Sequence, residues 1–82
     1  MKPDERRFWL ALREAHGGPY NARKGPAPRD LINGLLDPPI HHKRAWYLLE
    51  KWSGRGWYEY GVTLDLGWIT PEGWAHQVEV VP

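Results

Sequence analysis

The sequence contains no cysteine, and this absence excludes several classes of protein. A disulfide framework, a thiolate metal site and a cysteine nucleophile are all unavailable to these 82 residues. No apolar run approaches the roughly 18 to 20 residues that span a bilayer, and no apolar segment of the signal-peptide kind follows the charged N-terminus. We therefore expect one soluble domain, residues 1–82, that is cytoplasmic and makes no contact with membranes.

Motifs of enzyme and metal sites are missing as well. Ser53 is the only serine, and its position beside Gly54 at a helix end favours a turn or capping role over nucleophilic attack. The four histidines form no metal-ligand motif, no pair of carboxylates is placed by a recognisable motif, and no glycine-rich phosphate loop is present. We predict a non-enzymatic protein with no catalytic residue, metal ion or cofactor.

Positive charge is absent from the last third of the chain. Residues 1–55 hold all eleven Lys and Arg against six carboxylates, whereas residues 56–82 hold four carboxylates and neither Lys nor Arg. This asymmetry indicates one surface suited to polyanions and another that repels them. Solvation of helices explains it equally well, because helices usually carry more charge than strands do.

Apolar spacing indicates the first helix, and glycine and proline indicate the loop after it. Asp4 can cap a helix in which Phe8, Leu12 and Ala15 share one face, and Gly17 ends it. Residues 20–28 contain Gly, Pro and two cations without an apolar period, which predicts a basic and mobile loop.

Two further helices follow. Pro28 begins a short second helix with an apolar stripe formed by Leu31, Ile32, Leu35 and Leu36. Gly34 in that helix costs about 1 kcal/mol relative to Ala, which indicates close helix packing. Asp37 is predicted to cap a third helix with two prolines in its first turn, so the turn between the two helices is very short. The third helix extends to about Trp52, with inward residues Ala45, Leu48, Leu49 and Trp52.

A glycine-rich turn and two aromatic strands come after the third helix. Residues 54–56 end the helix, residues 57–60 form a strand, residues 61–67 turn the chain back, and a second strand leads into Thr70-Pro71-Glu72-Gly73. This order resembles the second half of winged helix-turn-helix domains of the MarR and PadR kind and of many small phage and plasmid proteins. The resemblance covers residues 28–74 well, whereas residues 4–16 match only as a generic first helix.

The resemblance implies an α+β winged helix-turn-helix fold with three helices and a small antiparallel β-hairpin as the wing, which a strand at residues 77–81 would extend. It also implies that the third helix recognises DNA, because such a helix places its N-terminal turns in the major groove. The candidate contacts on this helix are His41, His42, Lys43, Arg44 and Tyr47. A solvated helix face would have the same composition, and Asn and Gln, the usual readers of adenine, are absent from the helix.

The wing departs from the DNA-binding pattern. Wings that bind DNA commonly carry Arg or Lys, whereas residues 61–67 contain no cation and one carboxylate, Asp65. A second cationic contribution would have to come from other segments, namely from Arg23, Lys24 and Arg29, or from Arg6, Arg7 and Arg13.

Six tryptophans are more than a core of this size can enclose, since each buries about 150 to 250 Å². Strand alternation puts Trp57 and Glu59 on one face of the first strand and Trp68 on the outer face of the second. These three residues are candidates for contact with a protein partner or for a homodimer. Alternatively, Trp74 and the valines of residues 78–81 fold back over the two rings.

We therefore predict a non-enzymatic winged-helix protein that binds double-stranded DNA, as a transcriptional regulator or as an accessory factor of a phage or mobile element. The alternative is a winged helix that binds protein, for example a host-takeover or anti-defence inhibitor, through its Trp-rich and anionic C-terminal half.

Overall fold

Four helices and a two-stranded antiparallel sheet make up an α+β fold in the residues that the computed structural model describes, 1–16 and 25–75. The helices are α1 (Pro3–His16), α2 (Pro28–Asp30), α3 (His42–Gly54) and α4 (Pro71–Ala75), and the strands are β1 (Tyr58–Tyr60) and β2 (Gly67–Ile69). The helix α4 is additional to the three predicted ones. The predicted loop at residues 20–28 lies largely outside the described residues, as do Arg23, Lys24 and the predicted strand at residues 77–81. None of the helices in the described ranges has the length and apolar character that crossing a membrane requires.

The core is centred on an aromatic cluster between α1 and α3. Phe8, Trp9 and Leu12 of α1 are fully buried, and Ala15 is buried one turn further on, as the apolar spacing predicts. The ring of Trp52 in α3 has its centroid 5.4 Å from that of Phe8 and 4.9 Å from that of Trp9. Tilted and edge-on aromatic contacts of this kind add to the stabilisation from burial alone.

The predicted short second helix begins at Pro28, and it consists of α2 and of a π-helical turn. A π-helical turn at Leu31–Leu35 follows α2 and contains Gly34, whose φ of 139° is a conformation that L side chains rarely adopt. A Cβ at Gly34 would meet no atom within 4 Å, so this glycine serves the backbone turn, and the predicted close helix packing there is wrong. The apolar stripe is buried except for Leu35, which is 63% exposed.

The third helix begins later in the chain than predicted. Its cap is His41, whose Nδ1 accepts a hydrogen bond from the backbone N–H of Lys43 at 3.2 Å, and not Asp37. The preceding segment includes a cis peptide bond between Asp37 and Pro38 and buries Ile40 in the core. The chain is extended at Leu36, and residues 36–41 contain no helical turn, so the two prolines do not begin the helix. The four inward residues of α3 are buried as predicted.

A Schellman motif ends α3 and directs the chain into β1. Gly56 has a φ of 78°, its N–H donates to the Ser53 carbonyl at 3.1 Å, and the Trp57 N–H donates to the Trp52 carbonyl at 2.9 Å. The predicted glycine turn is confirmed, and its essential residue is Gly56.

The two strands pair in the register Tyr58 with Ile69, Glu59 with Trp68 and Tyr60 with Gly67. Tyr58 and Ile69 face the core and are fully buried, as strand alternation requires. The Tyr58 hydroxyl donates to the Leu64 carbonyl at 2.6 Å and accepts from the Gly67 N–H at 2.8 Å. This side chain closes the connection between the strands at its base. Residues 59–66 are called the wing tip below.

The Thr-x-x-Gly run caps α4 and fastens it to the turn between α3 and β1. Thr70 Oγ1 donates to the Gly56 carbonyl at 2.6 Å and accepts from the Gly73 N–H at 2.9 Å. Gly73 lies against the backbone of Trp57, where a Cβ would collide with the carbonyl oxygen. The motif therefore has a structural role, because it joins the end of the sheet to the end of α3.

Candidate nucleic-acid interface

A cationic surface forms where the solvent side of α3 meets the start of α1. Arg44, Tyr47 and Lys51 lie at helical spacing on one side of α3, and Lys2 precedes α1. A surface depression of about 400 Å³ lies between the two helices. It is lined by Met1, Lys2, Glu5, Arg44, Tyr47 and Lys51. We call it the cationic depression, and the same surface extended to Lys43 is called the α3 face.

Arg44 is held in place by a carboxylate of α1. Its Nε and Nη2 donate to the two oxygens of Asp4 at 2.7 Å and 3.2 Å, and its guanidinium lies 5.5 Å from the ring centroid of Tyr47. The hydrogen bonds from Arg44 lower the pKa of Asp4 from its ordinary 3.8 to about 2. Since a guanidinium has five N–H donors, this pairing fixes its orientation and leaves donors for a ligand.

Lys51 is paired with the other carboxylate of the first turn of α1. Glu5 is only 2% exposed and accepts hydrogen bonds at 3.0 Å from Lys51 Nζ and from the indole Nε1 of Trp52. Burial acts to raise the pKa of Glu5, but these two hydrogen bonds outweigh it and the pKa is lowered. The carboxylate is therefore ionised and balances Lys51.

Two cations of the α3 face are left without such a partner. Lys2 and Lys43 are both exposed, and neither forms an ion pair with any residue in the ranges 1–16 and 25–75. Tyr47 is 56% exposed beside them. The sequence analysis missed Lys2 and Lys51, although Lys51 lies two helical turns after Arg44 and its spacing could have indicated it.

The two histidines at the start of α3 have different structural roles. His41 caps the helix through Nδ1, so it precedes the first turn of α3 and does not lie within it as predicted. His42 packs its ring against Trp46, with centroids 5.7 Å apart, and remains exposed. Only His42 is placed on the helix itself.

Arg29 is joined to the wing and not to the α3 face. Its Nε and Nη2 donate to the two oxygens of Asp65 at 2.9 Å and 3.1 Å, and the Thr63 hydroxyl donates to the same carboxylate at 2.8 Å. The hydrogen bond from Arg29 lowers the pKa of Asp65, although burial opposes the shift. The Asp65 carboxylate therefore fixes the connection between β1 and β2 to α2.

The predicted protein-contact residues do not form an open aromatic patch. Trp57 is half-buried, with its centroid 5.8 Å from that of Trp9 and the Arg55 guanidinium 5.0 Å from its ring. Trp68 is half-buried with its Nε1 enclosed, and the described residues offer that nitrogen no hydrogen-bond acceptor. Glu59, opposite Trp68, is exposed. The most exposed apolar side chain in this half is Val62, at 97%.

The part of the chain that the structure describes contains no group of His, Cys, Asp or Glu side chains that could hold a metal ion. No protein-family model, curated protein or solved structure matches the chain.

Proposed function

We propose that this chain is a winged helix-turn-helix protein that binds double-stranded DNA through the α3 face. The proposal is supported by the order α1, α2, α3, β1 and β2, in which α3 occupies the place of a recognition helix and β1 and β2 that of a wing. The observation that carries it is the convergence of Lys2, Lys43, Arg44 and Tyr47 on the exposed side of that helix. We assign to it the role of a small regulator of transcription or of an accessory protein of a phage or mobile element.

The residues of the α3 face suit phosphate contact better than base reading. Lys2 and Lys43 supply ammonium groups that pair with no carboxylate among the described residues, Arg44 supplies an oriented guanidinium, and the Tyr47 hydroxyl can donate to a phosphate oxygen. His42 is the remaining polar donor near the start of the helix. We therefore expect affinity that depends on the DNA backbone, with weak discrimination between sequences.

The wing contributes little to this binding. Residues 56–75 contain no Lys or Arg, and Asp65 is already paired with Arg29. Lys2 and Lys43 are the two cations of the α3 face that no carboxylate of residues 1–16 and 25–75 neutralises, so the logarithm of affinity should fall against the logarithm of salt concentration with a slope of about −2.

A titration of a random duplex at low and at moderate salt tests the proposal. Lys43→Ala should weaken binding and lower the salt slope by about one, because one phosphate contact is lost. The matched control is Arg55→Ala, which removes the same charge from the turn after α3, where Arg55 lies against Trp57. An equal loss in both variants would show that binding follows net charge alone, and the assignment of α3 would fall.

Protein binding through the C-terminal half is a second candidate function. The observation that favours it is the exposure of Tyr60, Val62 and Leu66 in a segment without cations. Because Trp57 and Trp68 are half-buried, these three side chains, and not the two indoles, would make the contact. Absence of duplex binding even at low salt would favour this function over the first.

A further inference from the structure

The wing tip carries the most exposed large apolar side chain of the described residues. Val62 is 97% exposed, Tyr60 is 45% exposed and Leu66 is 37% exposed, while the neighbouring Glu59 adds a negative charge. Single exposed apolar residues are ordinary, whereas Tyr60, Val62 and Leu66 lie within seven residues of the chain.

The base of the wing tip is fixed before any partner arrives. The Tyr58 hydroxyl joins β1 to the later part of the connection at Leu64 and Gly67, and Asp65 joins the connection to Arg29 of α2. A preorganised base reduces the conformational entropy that association would otherwise remove. Only residues near Gly61 and Val62 lie beyond these hydrogen bonds.

The cationic depression has the complementary shape and charge. Its polar edge is formed by Lys2, Arg44 and Lys51, and exposed apolar surface is provided by Met1 and Tyr47. Its volume of about 400 Å³ exceeds that of a valine side chain several times, so it has room for the Val62 side chain. A concave cationic site with apolar surface matches a convex apolar tip with a carboxylate beside it.

We propose that the wing tip of one molecule docks into the cationic depression of a second copy of this chain. Val62 then packs against Met1 and Tyr47, and the Glu59 carboxylate meets the ammonium group of Lys2 or Lys43. The occupant is a second copy because each molecule carries both halves of the contact. The contact joins two different surfaces, so it is head-to-tail and can extend beyond a dimer.

The size of the wing tip sets the strength of this association. Stable interfaces bury about 800 Å² on each partner, and eight residues at a loop tip provide less than that. We expect association in the micromolar range or weaker that declines as salt screens the charges. The contact does not depend on DNA binding, but both use the α3 face, so DNA and a second copy exclude each other there.

Sedimentation velocity of two single variants and of their mixture tests the proposal. Val62→Asp removes the apolar tip at an exposed loop position, and Tyr47→Glu places a carboxylate in the depression at an exposed helix position. The wild type should show association that rises with concentration and weakens in salt, and each variant alone should associate about tenfold more weakly. An equal mixture should form a heterodimer and nothing larger, because one intact wing tip meets one intact depression.

Several outcomes would overturn the proposal. A wild type that stays monomeric at millimolar concentration in low salt would overturn it. The exposed side chains of the wing tip would then be candidates for contact with a different protein. Association that persists in Tyr47→Glu but not in Val62→Asp would instead show a symmetric contact between wing tips. Thermal melting of each variant establishes that it is folded. Val62→Asp also keeps α3 unaltered, so its duplex affinity reports on the proposed function separately.

Discussion

Arg44 of α3 donates two hydrogen bonds to the carboxylate of Asp4 in the first turn of α1. The adjacent residue of α1, Glu5, accepts a hydrogen bond from Lys51 of α3. The first turn of α1 thus sets the electrostatic character of the α3 face, since it balances Arg44 and Lys51, whereas Lys2 and Lys43 form no ion pair with any residue that the structure describes.

Removing the charge of Asp4 should strengthen DNA binding. Asp4→Asn keeps an oxygen that can accept from the Glu5 N–H but no longer neutralises Arg44. We expect the affinity for a random duplex at low salt to rise about threefold to tenfold, with a steeper salt slope. Asp37→Asn is the matched control, because it changes the net charge equally at an exposed position with no ion pair to Arg44. Weaker binding in Asp4→Asn would mean that the orientation of Arg44 matters more than its charge.

The lowered pKa of Asp4 predicts a loss of stability in acid. A carboxyl whose pKa is lower in the folded state stabilises the fold above its unfolded pKa, and this contribution is lost as the pH falls through the folded value. For Asp4 the window runs from about pH 4 down to about pH 2. Thermal melts across that range should show a shallower decline in Asp4→Asn than in the wild type. Parallel curves would show that other carboxylates, such as Glu5 and Asp65, account for the decline.

Replacement of the buried Glu5 should destabilise the fold. Glu5→Ala removes the acceptor of the buried Trp52 Nε1 and leaves Lys51 to turn towards water. An unsatisfied buried donor and a small cavity together should lower the free energy of unfolding by about 2–3 kcal/mol. The control is Glu50→Ala on the exposed side of α3, which should change it by less than about 0.5 kcal/mol. Urea denaturation measures the free energy of unfolding of both variants. Equal losses in Glu5→Ala and Glu50→Ala would contradict the role given to Glu5.

Two glycines of the described chain should respond to alanine in opposite ways. Gly73→Ala would place a Cβ against the Trp57 carbonyl, so we expect a loss of about 3 kcal/mol or more. Gly54→Ala lies at the end of α3 with no atom within 4 Å of the added Cβ, and should stabilise the protein by about 0.5–1 kcal/mol. Chemical denaturation of both variants provides the measurement. A tolerated alanine at position 73 would show that α4 can move away from the turn after α3.

Local patterns in the sequence account for much of the fold. The inward faces of α1 and α3 follow from apolar spacing, and the end of α3 follows from Gly56, because each depends only on neighbouring residues. The start of α3 could not be predicted in this way. Asp37 followed by two prolines has the local character of a helix start, but burial of Ile40 in the core keeps that segment extended.

The candidate site was only partly predictable for a related reason. Helical spacing indicated Lys43, Arg44 and Tyr47, which share the exposed side of α3. The partners of Arg29 and Arg44 lie far away in the chain, and a charge pattern does not show which carboxylate will meet which cation. Only the tertiary fold shows that Arg29 supports the wing whereas Lys43 faces solvent.

Because of the Tyr58 hydroxyl, the length of the connection between β1 and β2 should have little effect on the stability of the rest of the protein. Because this hydroxyl bonds to both Leu64 and Gly67, it closes the connection regardless of what is inserted between Gly61 and Val62. Doubling the length of a flexible loop costs only about 0.6 kcal/mol in closure entropy. A foreign peptide displayed at that position would leave α3 and the core unchanged, and the wing could also diversify in evolution by insertion while the helices stay the same.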